Sequence, residues 1–154
     1  MSDTETASEP VAVFKRAVKE GLDAEDEQVV METFAESVDV LQDDGPETMS
    51  PQQIWQQHQV ERAAMPDYVH EIQDVWQSGE MVFAQYRADA TFENELRLGQ
   101  DIAFEPTGEK LEAAGIMQAR VEDGEITGWG AYWNKLKLFQ QAGIVPPLSE
   151  LAER

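Results

Sequence analysis

The sequence predicts an α+β domain in which helices come first and an antiparallel sheet follows. Three observations carry this: apolar residues at helical spacing up to about residue 64, strand-like stretches from residue 68 onward, and an Asp123-Gly124 dipeptide suited to a tight hairpin. Helices gathered before a run of strands pack on one face of the sheet.

Residues 1–9 are acidic and too poor in apolar groups to offset the entropy of ordering, so they read as a disordered arm and residues 10–154 as one domain. In "PVAVFKRAVKEG", Val11, Phe14 and Val18 recur at helical spacing between a Pro in the first turn and Gly21, where the helix is expected to close. Asp23 is the expected cap of a second helix carrying Val29, Val30 and Phe34, and Val38, Val40 and Leu41 suggest a short strand ended by "DDGPET". Ser50, Pro51 and Gln53 form a capping box with proline at the first helical position, so a third helix runs to about Ala64. The strands expected next are "YVHEIQDVW", "MVFAQYRADATF" after a Ser78-Gly79 turn, "KLEAAGIMQARV" and "EITGWGAYW". A helical pattern begins again after Trp133.

Composition narrows the function classes. With 11 basic against 31 acidic side chains, the net charge is −20. No basic patch is available to neutralise phosphates, so neither nucleic acid nor an anionic membrane is an expected partner. There is no cysteine, which excludes thiolate chemistry. The N-terminus does not resemble a signal peptide and no apolar run approaches the ~18 residues of a membrane helix, so a cytoplasmic protein is expected. A Gly-rich phosphate loop and an H-E-x-x-H motif are both missing, and "DVLQDDG" lacks the alternating oxygens of a calcium loop. With two histidines twelve residues apart, neither a histidine-rich metal site nor a cofactor is expected.

Three stretches, "PDYVHEIQDVWQSGEMVFAQYRADAT", "PTGEKLEAAGIMQARVEDGEI" and "WGAYWNKLKLFQQAGIVP", together resemble the SnoaL-like polyketide cyclases, or ester cyclases, of the nuclear transport factor 2-like superfamily. The last is the most specific: Trp129, Trp133, Gln140, Gln141, Gly143 and Pro146 fit the family's closing strand, junction and helix. The resemblance implies a cone, a curved sheet wrapped around helices, with a deep and largely apolar pocket. It also implies a homodimer, and a small apolar organic ligand that in the cyclases undergoes aldol closure. The family's catalytic carboxylate at the junction maps onto Asn134, whose neutral amide can stabilise an enolate oxygen but cannot act as a base. Polar positions of relatives are replaced by Val40, Leu41 and Phe92, which implies a pocket depleted of polar groups.

Candidate site residues follow from phase within this frame. His70 alternates with Tyr68 and Ile72 and should point inward, either as a core histidine or as a pocket base or donor. His58, one turn beyond Ile54, also faces inward, in packing or at the pocket rim. Trp129 and Trp133 share one side of their strand and Tyr132 takes the other, so at least one of the three lines the pocket or an oligomer interface. Tyr86 and Phe92 interrupt a face of small residues, Ala84, Ala88 and Ala90, that leaves room for a cavity. Asp39 is a substitute base only if the first strand shifts register by one residue. Asn134 and His70 are thus the catalytic candidates, and His58, Tyr86, Phe92, Trp129, Tyr132 and Trp133 the ligand-binding ones. An enzyme, a non-catalytic ligand-binding module and an assembly module with a filled cone all remain open.

An acidic surface with only five lysines also fits a protein adapted to molar salt, where self-repulsion is screened. Its unfolding midpoint should then rise steeply from about 0.01 M to about 2 M KCl, as the Debye length falls from about 30 Å to a few Å. A flat midpoint in that titration would remove the salt-adapted reading.

Overall fold

A computed structural model describes residues 9–42, 45–98 and 102–152. Helix α1 (Glu9–Arg16) buries Phe14 and runs straight on into a π-helical segment, Ala17–Asp23. Gly21 does not end it. A Cβ there would lie 3.0 Å from Val30 Cγ2, so the missing side chain serves close packing against the next helix. That helix, α2 (Glu27–Thr33), is capped by Asp26, whose Oδ1 accepts from the backbone N–H groups of Gln28 and Val29. Asp23, the expected cap, is freed for another task.

Phe34 turns the chain from helix into strand β1 (Phe34–Val40), which pairs with the short β2 (Thr48–Met49). Helix α3 (Pro51–Ala64) starts on the expected capping box: Ser50 Oγ accepts from Gln53 N at 3.2 Å and Gln53 Oε1 accepts from Ser50 N at 2.8 Å. Two such reciprocal bonds satisfy otherwise orphaned N–H groups and fix where the helix begins.

The sheet is completed by β3 (Val69–Ser78), β4 (Met81–Thr91), β7 (Lys110–Glu122) and β8 (Glu125–Trp133), in the order β2-β1-β8-β7-β4-β3. All neighbours are antiparallel except β1 and β8, which run parallel, a pairing that strand periodicity does not reveal. Asp123 and Gly124 both have positive φ, as the tight hairpin between β7 and β8 requires. Register shifts between Ile72 and Asp74 and between Arg120 and Val121 bend the long strands. The result is a curved sheet wrapped around the N-terminal helices, the α+β cone that the sequence predicts. Strands β5 (Leu96–Leu98) and β6 (Ile102–Phe104) form a separate ribbon, and α4 (Lys135–Gln141) and α5 (Leu148–Ala152) close the chain.

The main core joins Phe14, Val18 and Val30 from the helices to Phe34, Val82 and Ile126 from the sheet, all essentially fully buried. A smaller cluster of Ala64, Phe92, Leu111 and Ala142 ties α3 and α4 to the other end of β4 and β7. Between the two the inner face of the sheet is left uncovered. Of the arm expected over residues 1–9, all but Glu9 lies outside the described residues, and Glu9 opens α1. Among the described residues no helix is long and apolar enough to cross a membrane.

Candidate active site

The uncovered part of the sheet bounds a cavity of about 510 Å³. Its floor follows from alternation: Tyr86, Ala88 and Ala90 of β4 and Trp129, Ala131 and Trp133 of β8 face inward, and alanines between rings leave space that larger aliphatic side chains would fill. Its roof follows from helical spacing. Ile54, Gln57, His58, Glu61 and Met65 recur along one face of α3 and its end, and all five line the cavity.

The polar groups collect at one end. His58 is buried and its Nε2 lies 2.8 Å from the Leu22 carbonyl, which can only accept, so Nε2 carries the proton. Burial lowers the His58 pKa, and the nearby His70 and Arg62 lower it further against the pull of the Leu22 carbonyl. His58 is therefore a neutral imidazole near neutral pH. From it a string of rings crosses the chamber wall: His58 to Tyr68 at 6.1 Å, Tyr68 to His70 at 4.9 Å, His70 to Tyr86 at 5.7 Å between centroids. The Tyr68 hydroxyl is 3.1 Å from His70 Nε2, and His70 Nδ1 is 2.7 Å from Asp23 Oδ1.

Glu61 is the least expected member. It projects from α3 into the chamber, half-buried by surface yet enclosed by protein on the sides, and removal from bulk water pushes its pKa up to about 7 against a hydrogen bond from Gln57. Burial likewise raises Tyr68 well above the usual phenol range, and Tyr86 to about 12, with the neighbouring Glu61 adding to both. Both phenols stay protonated. Tyr86 is 5% exposed, and its hydroxyl has no hydrogen-bond partner among the described residues. A carboxyl that titrates near neutral pH thus shares an apolar chamber with a phenol donor.

The model of the SnoaL-like domain matches residues 14–129. The chain belongs to the SnoaL-like family. Solved structures share its fold. IdmH of Streptomyces antibioticus, proposed to be a polyketide cyclase, is 20% identical with a TM-score of 0.71, over 88% of this chain and 99% of that one. A SnoaL-like protein of Jannaschia sp. CCS1, also proposed to be a polyketide cyclase, is 18% identical with a TM-score of 0.74, over 90% and 94% of the two chains. An epoxide hydrolase of M. tuberculosis, described as LEH-like, is 14% identical with a TM-score of 0.65, over 94% and 96%. No curated protein matches the chain in sequence. At these identities the neighbours establish the fold, and the chemistry has to be argued from this chain's own chamber.

Within this SnoaL-like cone His58, His70, Tyr86, Trp129 and Trp133 line the chamber, and four of the expected residues do not. Asn134 is exposed, and its Oδ1 accepts from Lys137 N at 3.1 Å, so its side chain caps α4. The local demand of a helix N-terminus explains an amide at this junction. Phe92, 2% exposed, follows the lining residue Ala90 by two positions and is packed away behind the chamber wall in the smaller core cluster. Tyr132, 53% exposed, faces outward, as alternation with Trp129 and Trp133 requires. Asp39 also points outward, paired with Arg120 across the sheet surface.

Val40 lines the chamber, whereas Leu41 covers Gly128 on β8. The pocket is not short of polar groups, because they come from the helical roof and β3 rather than from the closing junction. Glu61 was legible in principle, since it stands at i, i+3 from His58 and i, i+7 from Ile54. Asp23 was not, because only the π-helical segment carries it to His70. Among the described residues no cluster of three His, Asp or Glu side chains could hold a metal ion.

Glu61 gives a pH signature. Its folded pKa of about 7 lies above the ordinary 4.5, so the fold binds that proton more tightly than the unfolded chain. The stabilisation is complete below the ordinary value and is lost as pH rises through about 7. The ionised group then penalises folding by up to about 3 kcal/mol, less where water in the chamber screens it. Glu61→Gln should therefore gain stability over the wild type between about pH 5 and pH 8 in denaturant titrations. An equal gap at both ends would show that Glu61 is an ordinary solvated carboxylate.

Proposed function

We propose that this SnoaL-like protein binds a small, largely apolar organic carbonyl compound in its chamber and moves a proton on it. The observation that carries the reading is a carboxyl group, Glu61, brought to a pKa of about 7 beside a Tyr86 hydroxyl with no hydrogen-bond partner among the described residues. A general base works best with a pKa near the working pH, and a donor is most useful where oxygen gains charge.

In this reading the Glu61 carboxylate takes the proton from a carbon next to the carbonyl. The Tyr86 O–H donates a hydrogen bond to the carbonyl oxygen as it becomes an enolate, and its high pKa keeps it a donor. Return of the proton to a different carbon is an isomerisation. Attack of the enolate carbon on a second carbonyl, with the proton ending on the new alkoxide, is an aldol ring closure. Neither outcome consumes an oxidant or a reductant. Neighbours of the same fold proposed as polyketide cyclases support the aldol form, and the Trp129 and Trp133 rings suit a flat ligand. The alternative is a module of the same fold that only holds its ligand.

1-Tetralone, a flat bicyclic ketone, tests both. It should raise the melting temperature by mass action and exchange its α-hydrogens for deuterium in the presence of the wild type. Glu61→Gln should slow that exchange by about 10²-fold or more while keeping the thermal shift, and Tyr86→Phe by a smaller factor. Thermal stabilisation without any exchange by the wild type would leave the binding module as the function.

We also propose a homodimer built on the outer face of the sheet. Trp76, Ile116 and Tyr132 are 51%, 39% and 53% exposed there, and strand register sets Tyr132 opposite Ile116 and Trp76 opposite Phe83. A closed symmetric dimer buries the same patch twice. Light scattering at micromolar protein in high salt should give twice the chain mass, and Tyr132→Glu should halve it. A monomeric wild type would count against the dimer.

A further inference from the structure

The contact between Asp23 and His70 is more elaborate than a strap between two elements needs. Both side chains are 6% exposed. Asp23 Oδ1 meets His70 Nδ1 at 2.7 Å, while Oδ2 accepts from the His70 backbone N–H at 3.0 Å and from Lys19 Nζ at 2.7 Å. Lys19 also donates to the His70 carbonyl, and Arg62 donates to the carbonyls of Asp23 and Tyr68. The backbone bonds alone would fasten β3 to the π-helical segment. The imidazole bond goes beyond that fastening, and the opposite nitrogen, Nε2, meets the hydroxyl of Tyr68, which with His70 lines the chamber.

We propose that Asp23, His70 and Tyr68 form the acid arm of the chamber: Asp23 holds His70 at Nδ1, the Nε2 side of the ring backs the Tyr68 hydroxyl and, in the reactive form, donates to it, and Tyr68 is the proton donor to the substrate's oxygen. The inference rests on the proton-transfer reading of Glu61 and supplies its missing half. When His70 carries both ring protons, Nε2–H donates to the Tyr68 oxygen, and the phenol proton is free to point into the chamber. When His70 is neutral with its proton on Nδ1, Nε2 instead accepts the phenol proton and Tyr68 is turned away from the substrate. The charge on His70 therefore sets the direction in which Tyr68 donates.

The step balances within the chamber. Glu61 takes a proton from carbon, the Tyr68 O–H proton moves to the substrate oxygen, and the Nε2–H proton moves to the Tyr68 oxygen. Glu61 ends neutral, His70 ends neutral with Nδ1–H still on Asp23, and the pair resets as product leaves and water enters. Asp23 never gives up its charge. Its burial would raise its pKa, but the hydrogen bond and charge of His70 and the Lys19 ammonium outweigh that and hold it below the usual carboxylate value. Asp23 is thus a positioning residue that stabilises the imidazolium, and Tyr68 touches the substrate. The other charged or titratable groups facing His70 are Lys19 from the π-helical segment, His58 and Arg62 from α3, and Tyr86 from β4, with Glu61 acting through Tyr68.

The test reads the histidine directly and then the reaction. In ring-¹⁵N-labelled full-length protein without ligand, His70 Nδ1 should carry the proton that it donates to Asp23, and its signal should move in Asp23→Asn. Tyr68→Phe, a gentler change that keeps the ring, should shift the Nε2 signal while leaving Nδ1 in place. With 1-tetralone, Asp23→Asn and Tyr68→Phe should each lower kcat for exchange about 10-fold or more with KM changed less than about twofold. A His70 Nδ1 without a proton, or an Nε2 signal and kcat indifferent to Tyr68→Phe, would overturn the acid arm. Absence of exchange by the wild type would instead overturn the reading of Glu61, and the ring-nitrogen spectra, which need no ligand, would still decide the acid arm.

Discussion

The structure depends on one steric constraint: the inner face of the long strands is too small to be packed shut. Ala84, Ala88 and Ala90 of β4 lie opposite Met117, Ala113 and Leu111 of β7, so small side chains make up much of this face. Phe14, Val18 and Val30 fill the space at one end, and Phe92 with Leu111 and Ala142 at the other. Helices are rods of fixed diameter, so a layer seated on both clusters leaves a gap where the sheet's side chains between them are small. The chamber is that gap. A filled cone acting purely as an assembly module does not fit this geometry.

Once the gap exists, its electrostatics follow from which residues roof it. A helix presents every third or fourth residue to the sheet, so the face of α3 that lays Ile54 on the core also carries His58 and Glu61 over the cavity. Charge in such a place is poorly solvated. Glu61 accordingly holds its proton to about pH 7, and His58 gives its proton up more readily than a free imidazole. Asp23 differs because its charge is met from several sides, by His70, by Lys19 and by a backbone N–H. Three titratable groups within one wall are thus pushed in different directions by what surrounds each.

The acidic exterior is a separate matter from this interior. Many of the ion pairs are exposed, such as Arg16 with Glu32 and Arg97 with Glu95, and pairs of that kind contribute little individually in water. Arg120 gathers Asp39, Glu122 and Thr127 on the outside of the sheet, and that cluster is why Asp39 points away from the chamber.

The sequence by itself determined what local physics decides. The capping box at Ser50 and Gln53 placed the start of α3, the Asp123-Gly124 pair placed the β7–β8 hairpin, and two-residue alternation put His70, Tyr86, Trp129 and Trp133 inward and Tyr132 outward. These depend on neighbours in the chain, so a sequence displays them. The family was legible too, and the residues that bear it out, 14–129, lie before the closing stretch. Tertiary structure decided the rest. Whether Asn134 faced the cavity depended on whether α4 needed its side chain as a cap, and whether Phe92 was lining or core depended on how far α4 folds back over β4 and β7. The parallel pairing of β1 with β8 and the meeting of Asp23 with His70 join residues far apart in the chain. The rise of the Glu61 pKa comes from the walls around it, and no pattern of neighbouring letters encodes the amount of water a folded wall excludes.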